Sequence, residues 1–337
     1  MIKAMLQEPL GEKKVRCNVC VHRCLISPGK RGICQVRENQ DGVLYSYADE
    51  LISITSLDPV EKKPFYHVLP GSEAFSWAGY GCNMHCDWCQ NHSISQSNQL
   101  KSVNSPISAD EIVAGAMVVG AGLISATYTE PTVFFEVLFD VGQRTHDFNI
   151  INSWVTNGTI TPEALQLAGK YLHAANVDLK GANDVLLKKH TGVNPSYVMS
   201  IIRLMKEMGI WVEVTTLVIP GLNDSTEDLE TIAEFIADVD FQMPWHVSAY
   251  HPAFRHQAPP TSGATILKAI EIGQKKGLKY IYAGNIRTEK GNNTYCASCK
   301  TQLVSRRGYN IELKMDGGVC PTCGLSIPGI YNSQRLK

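Results

Sequence analysis

Between residues 73 and 286 the chain alternates strand-like with helix-like segments, and no other feature limits its fold as severely. Apolar runs of strand character fall at 74–81, 123–129, 150–156, 175–179, 210–219, 245–250 and 278–283. Between them lie segments that are apolar at helical spacing, at 109–120, 133–141, 196–208, 225–238 and 264–276. A further helix is opened by Thr161-Pro162-Glu163, where proline costs little because the N–H it lacks has no intrahelical partner. Ser225 with Asp228 forms a loose capping box, with Asp in place of Glu or Gln. Strand–helix units of this size build a parallel sheet with helices outside it. The expected fold class is therefore α/β, a partial (βα)6-type TIM barrel, with an open doubly wound sheet as the alternative. In a barrel, functional groups gather at the C-terminal ends of the strands. Gly81-Cys82, Thr129-Glu130, Asn157-Gly158, Asp178–Lys180 and Tyr250-His251 all fall there.

The flanks differ in composition. Residues 1–72 read as an N-terminal Cys-rich and β module, 73–286 as the βα barrel, and 287–337 as a C-terminal zinc-ribbon-like module. Eight of the eleven cysteines lie in the two ends. Residues 1–37 carry a net charge of +6 and residues 287–337 a net +5, which leaves the middle at −12 in a chain of net −1. A chain of 337 residues, 44% of them hydrophobic, can bury its core without disulfides. The longest uncharged run, 112–129, changes from helix-like to strand-like midway and holds three glycines. It reads as a buried helix followed by a strand rather than a membrane span. Residues 1–14 lack the apolar stretch of a signal peptide. A cytoplasmic location is expected, where clustered cysteines serve as metal ligands or redox groups more often than as disulfides.

The cysteines form three sets. Cys82, Cys86 and Cys89 are spaced by three residues and then two, on the loop after the first barrel strand. Three thiolates on one tight loop suit a [4Fe–4S] cluster and leave one iron open to an outside ligand. A zinc site completed by His85 or His92 is the alternative. Cys17, Cys20, Cys24 and Cys34 form the second set, suited to tetrahedral zinc, which we favour because the turns around them need a pin, or to a second iron–sulfur cluster. Cys296, Cys299, Cys320 and Cys323 pair as two CxxC knuckles, a zinc-ribbon pattern with strand-like segments at 302–305 and 309–313 between them. Zinc on four thiolates carries net −2, so Arg23, Lys30, Arg31, Arg306 and Arg307 are expected to offset thiolate charge. A polyanion-binding surface is the less favoured reading of the basic ends, since only Tyr295, Tyr309 and Tyr331 interleave with the charges.

The CxxxCxxC loop with an aromatic residue, Trp88, before its last cysteine resembles that of the radical S-adenosylmethionine (SAM) enzymes. Tyr128-Thr129-Glu130-Pro131 falls where that superfamily often has Gly-Gly-Glu-Pro. Asn157-Gly158, Asp178-Leu179-Lys180 and Tyr250-His251 resemble positions around SAM in pyruvate formate-lyase activating enzymes. The resemblance implies that SAM chelates the open iron through its amine and carboxylate, and that electron transfer cleaves it to a 5′-deoxyadenosyl radical. It implies Glu130 as acceptor for the SAM ammonium and Lys180 and His251 near its carboxylate or ribose. Trp88, Thr129, Asn157 and Asp178 are the remaining expected SAM contacts. Where the activating enzymes commonly have Asp-Thr-Asn-Gly, this chain has Val155-Thr156-Asn157-Gly158, which removes the acidic ligand of a monovalent-cation site. Cys17-Asn-Val-Cys20-Val-His-Arg-Cys24, Asp58-Pro-Val-Glu-Lys-Lys-Pro64, Tyr282-Ala-Gly-Asn285 and Asn293-Thr-Tyr-Cys296 extend the match over nearly the whole chain. Together they are similar to the AmmeMemoRadiSam-system radical SAM enzymes.

The expected function is thus radical SAM chemistry, of oxidoreductase or transferase class, on a small molecule, cofactor precursor or nucleic-acid base. The alternatives are hydrogen abstraction from a partner protein, as glycyl-radical activating enzymes perform, and a non-catalytic metal-stabilised scaffold. The resemblance implies a low-potential electron donor of flavodoxin or ferredoxin type. Nucleic acid is not favoured as a partner, and no membrane is expected. No catalytic hydrogen donor is assigned; Tyr250 is chemically able but nothing singles it out.

Overall fold

A computed structural model describes residues 1–96, 105–286, 288 and 290–332. Its centre is an eight-stranded sheet in which spatial order follows chain order. The strands are β1 (Ile52–Pro59), β2 (Glu73–Gly79), β3 (Leu123–Ala126), β4 (Ile151–Thr156), β5 (Ala174–Asp178), β6 (Trp211–Val218), β7 (Trp245–Ala249) and β8 (Ile281–Gly284). β1 pairs antiparallel with β2, and every later pair is parallel. Six strand–helix crossovers follow β2, as expected for a partial (βα)6 barrel. The pairing of Ile52 with Gly79 and of Pro59 with Glu73 crosses the boundary drawn at residue 72, so the first strand of the sheet comes from the segment read as the N-terminal module.

The main crossover helices are α1 (Ala109–Val118), α2 (Phe135–His146), α3 (Pro162–Ala168), α4 (Pro195–Glu207), α5 (Thr226–Asp240) and α6 (Gly263–Lys275). Their starts are written locally. Ser108 and Glu111 form a full capping box, and Thr161, Ser225 and Ser262 each accept a backbone N–H in the first turn. Pro162 and Pro195 occupy early helical positions. The run 112–129 resolves into the end of α1 and strand β3, and no helix among the described residues is long and apolar enough to cross a membrane. One further helix, Asp184–Thr191, is too short and too charged for its periodicity to be read from sequence.

Strands β3 and β7 are buried at every residue, as befits a sheet covered on both faces. The small ends are separate three-stranded units. Gln7–Pro9, Val15–Cys17 and Leu25–Ile26 form one sheet at the N-terminus, and Ile2–Lys3, Val43–Ser46 and Arg37–Gln40 another. Thr294–Tyr295, Gln302–Arg307 and Asn310–Leu313 form the C-terminal ribbon.

The ribbon is anchored at the N-terminal ends of the late strands. Glu213 of β6 is fully buried and accepts from the Tyr66 and His67 backbone N–H, from Trp211 Nε1 and from His246 Nε2. His67 donates from Nδ1 to the Pro328 carbonyl at 2.7 Å and accepts at Nε2 from the Tyr282 hydroxyl at 2.7 Å. Arg306 of the ribbon lies over the Tyr66 ring and donates to the Tyr66 carbonyl.

Candidate active site

At the opposite ends of the strands a cavity of ≈ 320 Å3 opens, and Cys82, Cys86 and Cys89 all line it. The loop that carries them is held from several sides. Gly81 turns the chain out of β2 at φ +122°, where a Cβ would meet Val36 and the Cys34 carbonyl. Cys89 N–H donates to the Cys86 carbonyl, and Asp87 accepts from His190 Nδ1 and from the backbone N–H of Arg255 and His256. Burial pushes the Cys86 thiol up to about 11 and the Cys82 thiol higher still. Such thiols stay protonated until a metal displaces the proton. Their sulfurs are not gathered tightly enough for a single ion: among the described residues, only Cys296, Cys299, Cys320 and Cys323 form a group whose ligand atoms all lie within 4.8 Å. His85 and His92, the zinc ligands of the alternative reading, are both exposed, one beside Gln96 and the other stacked on Phe254.

Trp88, Thr129, Glu130, Asn157, Asp178 and Lys180 line the same cavity. His251 does not; it is exposed on the segment after β7. Tyr250 is buried with its hydroxyl donated to the His256 carbonyl, and it too lies outside the cavity lining. Trp88 is packed against His190 and His256, whose rings also meet each other. Lys180 Nζ sits 2.8 Å from Asp178 Oδ2. Burial pulls its pKa down, but Asp178 and Cys86 outweigh that and hold it above the ordinary lysine value.

Glu130, the expected acceptor for the SAM ammonium, is held by protein donors from the ends of β3 and β4. Its Oε1 accepts from the Thr132 N–H and hydroxyl and from the Thr156 hydroxyl; its Oε2 accepts from the Asn157 N–H at 2.7 Å and from Asn157 Nδ2 at 2.8 Å. A carboxylate offers about four acceptor sites. All are taken, so an ammonium could bind Glu130 only by displacing one of these donors. As it stands, Glu130 ties the end of β3 to the end of β4 and orients Asn157.

The cavity also holds residues the sequence analysis did not assign. Lys62, Lys63 and Tyr128 line it, and Asp58 lies behind them, buried. Asp58 accepts from Lys62 at 2.5 Å, from Lys63 at 2.6 Å and from the Tyr128 hydroxyl, while Lys63 Nζ lies 4.1 Å from the Tyr128 ring centre. Burial lowers Lys63 to about 8, with Asp58 opposing. Tyr128 sits at φ +65°, a strained setting for an aromatic residue, and its carbonyl accepts from Asn91 just beyond Cys89. The signal was present in the quoted Asp58–Pro64 and Tyr128–Thr132 motifs, but their meeting is tertiary. Asn285 and Ser248 complete the rim; Gly284 beside them has no room for a Cβ, which would lie 2.2 Å from the Ser248 hydroxyl.

At the C-terminus the Cys296–Cys323 sulfurs lie 3.6 Å apart and the Cys299–Cys320 sulfurs 3.5 Å. Four thiolates about 2.3 Å from one ion stand about 3.8 Å from each other.

The sequence model of the Radical SAM superfamily matches residues 78–236. An uncharacterized protein of Methanocaldococcus jannaschii is 37% identical over 332 residues, spanning 97% of this chain and 99% of its own length. A second protein of that organism, provisionally named a glycyl-radical enzyme activating enzyme, is 26% identical over 224 residues, spanning 63% of this chain and 88% of its own. A solved radical SAM methyltransferase from Sphaerobacter thermophilus shares the fold with a TM-score of 0.51 at 18% identity, over 66% of this chain and 68% of its own. The chain belongs to the radical SAM superfamily. Membership implies an enzyme that works with an iron–sulfur cluster and SAM.

Proposed function

We propose that Cys82, Cys86 and Cys89 hold a [4Fe–4S] cluster in this cavity, and that SAM binds beside it among the polar strand ends. The observation that carries the reading is the shared cavity: three thiols of one loop open into the same space as Thr129, Asn157, Asp178 and Lys180, contributed by three successive strand ends. When bound and reduced, the cluster and SAM would supply a 5′-deoxyadenosyl radical able to abstract a hydrogen atom from the substrate or to add to it.

The chain's own residues do the rest. Three protein thiols leave one iron without a protein ligand, which is where the SAM amine and carboxylate would go. Lys180, charged and paired with Asp178, offers a cation to the SAM carboxylate. Glu130 positions Asn157 instead of spending its lone pairs on SAM directly. Trp88, wedged against His190 and His256, keeps water from one side of the cluster loop. Lys62 and Lys63 face the cavity with a net positive charge after Asp58 is counted, which favours a substrate bearing an anionic group. A low-potential flavodoxin- or ferredoxin-type donor supplies the electron. The C-terminal sulfurs, at single-ion spacing, hold structural zinc.

The substrate class is a small molecule, cofactor precursor or nucleic-acid base. A partner-protein substrate is the second reading, supported by the relative named as an activating enzyme. Protein purified without oxygen, loaded with iron and sulfide and given SAM and a strong reductant is expected to release 5′-deoxyadenosine and methionine. Cys86→Ala is expected to release none while keeping its zinc. A fully loaded chain that neither binds nor cleaves SAM would overturn the proposal. Deuterium transfer into 5′-deoxyadenosine from a labelled partner protein would select the second reading.

A further inference from the structure

Of the three cysteine sets, the N-terminal one was read from sequence in favour of zinc, and the geometry points elsewhere. We propose that Cys17, Cys20, Cys24 and Cys34 hold a second iron–sulfur cluster, which passes electrons to the group on Cys82, Cys86 and Cys89. Three independent observations support the site.

The first is spacing. A single tetrahedral ion draws four sulfurs to about 3.8 Å from each other. The C-terminal set meets that, with every ligand atom within 4.8 Å of the others. Among the described residues, no three of the N-terminal sulfurs are so gathered, and in this they match the Cys82 loop. In a cubane cluster each thiolate takes its own iron, so the inorganic core holds the sulfurs apart. The four cysteines line one hollow.

The second is an unpaired donor. Arg37 lines this hollow and is 2% exposed. Its Nη2 donates to Glu136 at 2.7 Å, but its Nη1 has no hydrogen-bond partner. A buried guanidinium N–H left unpaired is costly, and the four sulfurs already present do not satisfy it. Inorganic sulfide supplies the missing acceptor, and N–H bonds to cluster sulfurs help to set the potential.

The third is position. Asn83, the residue after Cys82, also lines the hollow. His22 bonds the Asn83 carbonyl at 2.7 Å. The residue next to Cys82 therefore lies in the wall of the N-terminal hollow, which makes the two cysteine sets neighbours. In the transfer a low-potential one-electron donor is oxidised, the N-terminal cluster takes up that electron, and it gives the same electron to the central group. No proton moves and no bond changes. The relay role rests on the proposed central cluster; the site itself does not.

The metal content of a Cys82→Ala, Cys86→Ala, Cys89→Ala triple variant, purified without oxygen, separates the two. About four iron and four sulfide per chain, with one zinc, are expected, against about eight iron in the unsubstituted chain. Two zinc and no iron in the triple variant would overturn the site, whereas about four iron in both proteins would keep the site and remove the central cluster, and with it the relay. A Cys20→Ser, Cys34→Ser variant is expected to keep about four iron. It should cleave SAM with dithionite, yet be reduced by a flavodoxin-type donor at least about tenfold more slowly. An unchanged rate with that donor would refute the relay.

Discussion

Replacing Glu213 by Gln changes one atom in a fully buried carboxylate, and the structure sets the cost. Oε1 accepts from the His67 N–H at 2.9 Å and Trp211 Nε1 at 3.1 Å; Oε2 accepts from the Tyr66 N–H at 3.0 Å and His246 Nε2 at 2.6 Å. With the amide nitrogen at the Oε1 position two fixed donors lose their acceptor; at the Oε2 position only the Tyr66 N–H must, because neutral His246 can change tautomer and accept at Nε2. Hydrogen bonds to a charged acceptor contribute about 1.5–3 kcal/mol each, so the expected loss is at least about 1.5–3 kcal/mol. At roughly 2 °C per kcal/mol for a chain of this size, the melting temperature should fall by at least roughly 3–6 °C. Urea midpoints and thermal melts followed by far-ultraviolet circular dichroism measure it. Because residues 66 and 67 also hold Pro328 and Arg306, the variant should lose its C-terminal metal to a chelator faster than the parent. A cost below about 1 kcal/mol would show that the donors find other acceptors, and that the ribbon is not anchored through this carboxylate.

Three further outcomes are expected. Burial lowers His67 to about 4 from 6.5, so between those values the unfolded chain binds a proton that the folded chain refuses. Stability should therefore fall as pH drops through that window, by on the order of 3 kcal/mol at its lower end, and urea midpoints of a His67→Gln variant should lose that part of the slope. Gly81→Ala sets a Cβ 2.8 Å from Val36 at φ +122°; it should cost more than about 1 kcal/mol and lower the iron bound at the adjacent Cys82, read by iron analysis. Asp58→Asn leaves Lys63, whose side chain is 1% exposed, without its anion; a loss of about 3–5 kcal/mol is expected in urea unfolding, and a loss under about 1 would remove the buried pair from the account.

The strand–helix rhythm was legible because each unit is a local event: caps such as Ser108, Thr161, Ser225 and Ser262, and β-branched runs, need only neighbouring residues to declare themselves. Strand β1 was harder. Residues 52–59 carry a mixed burial pattern, and their place in the main sheet depends on pairing with β2, which no local period records. In the candidate site the cysteine loop and the strand-end residues were readable by type and position. The Asp58–Lys63–Tyr128 cluster was not, because its charges meet only when residues 58–63 fold against the turn after β3.

Glu130 marks the division most clearly. Its type and its place at a strand end follow from the chain alone, but which groups its oxygens accept from depends on β4 arriving beside β3. The same holds for the cysteines. Spacing along the chain groups them into three sets and makes metal binding the expected chemistry. How far apart the sulfurs stand, and so whether a set closes on one ion or opens around a cluster, is decided by the packing of the backbone that carries them, because a thiol has one rotatable bond to its main chain and cannot reach beyond it.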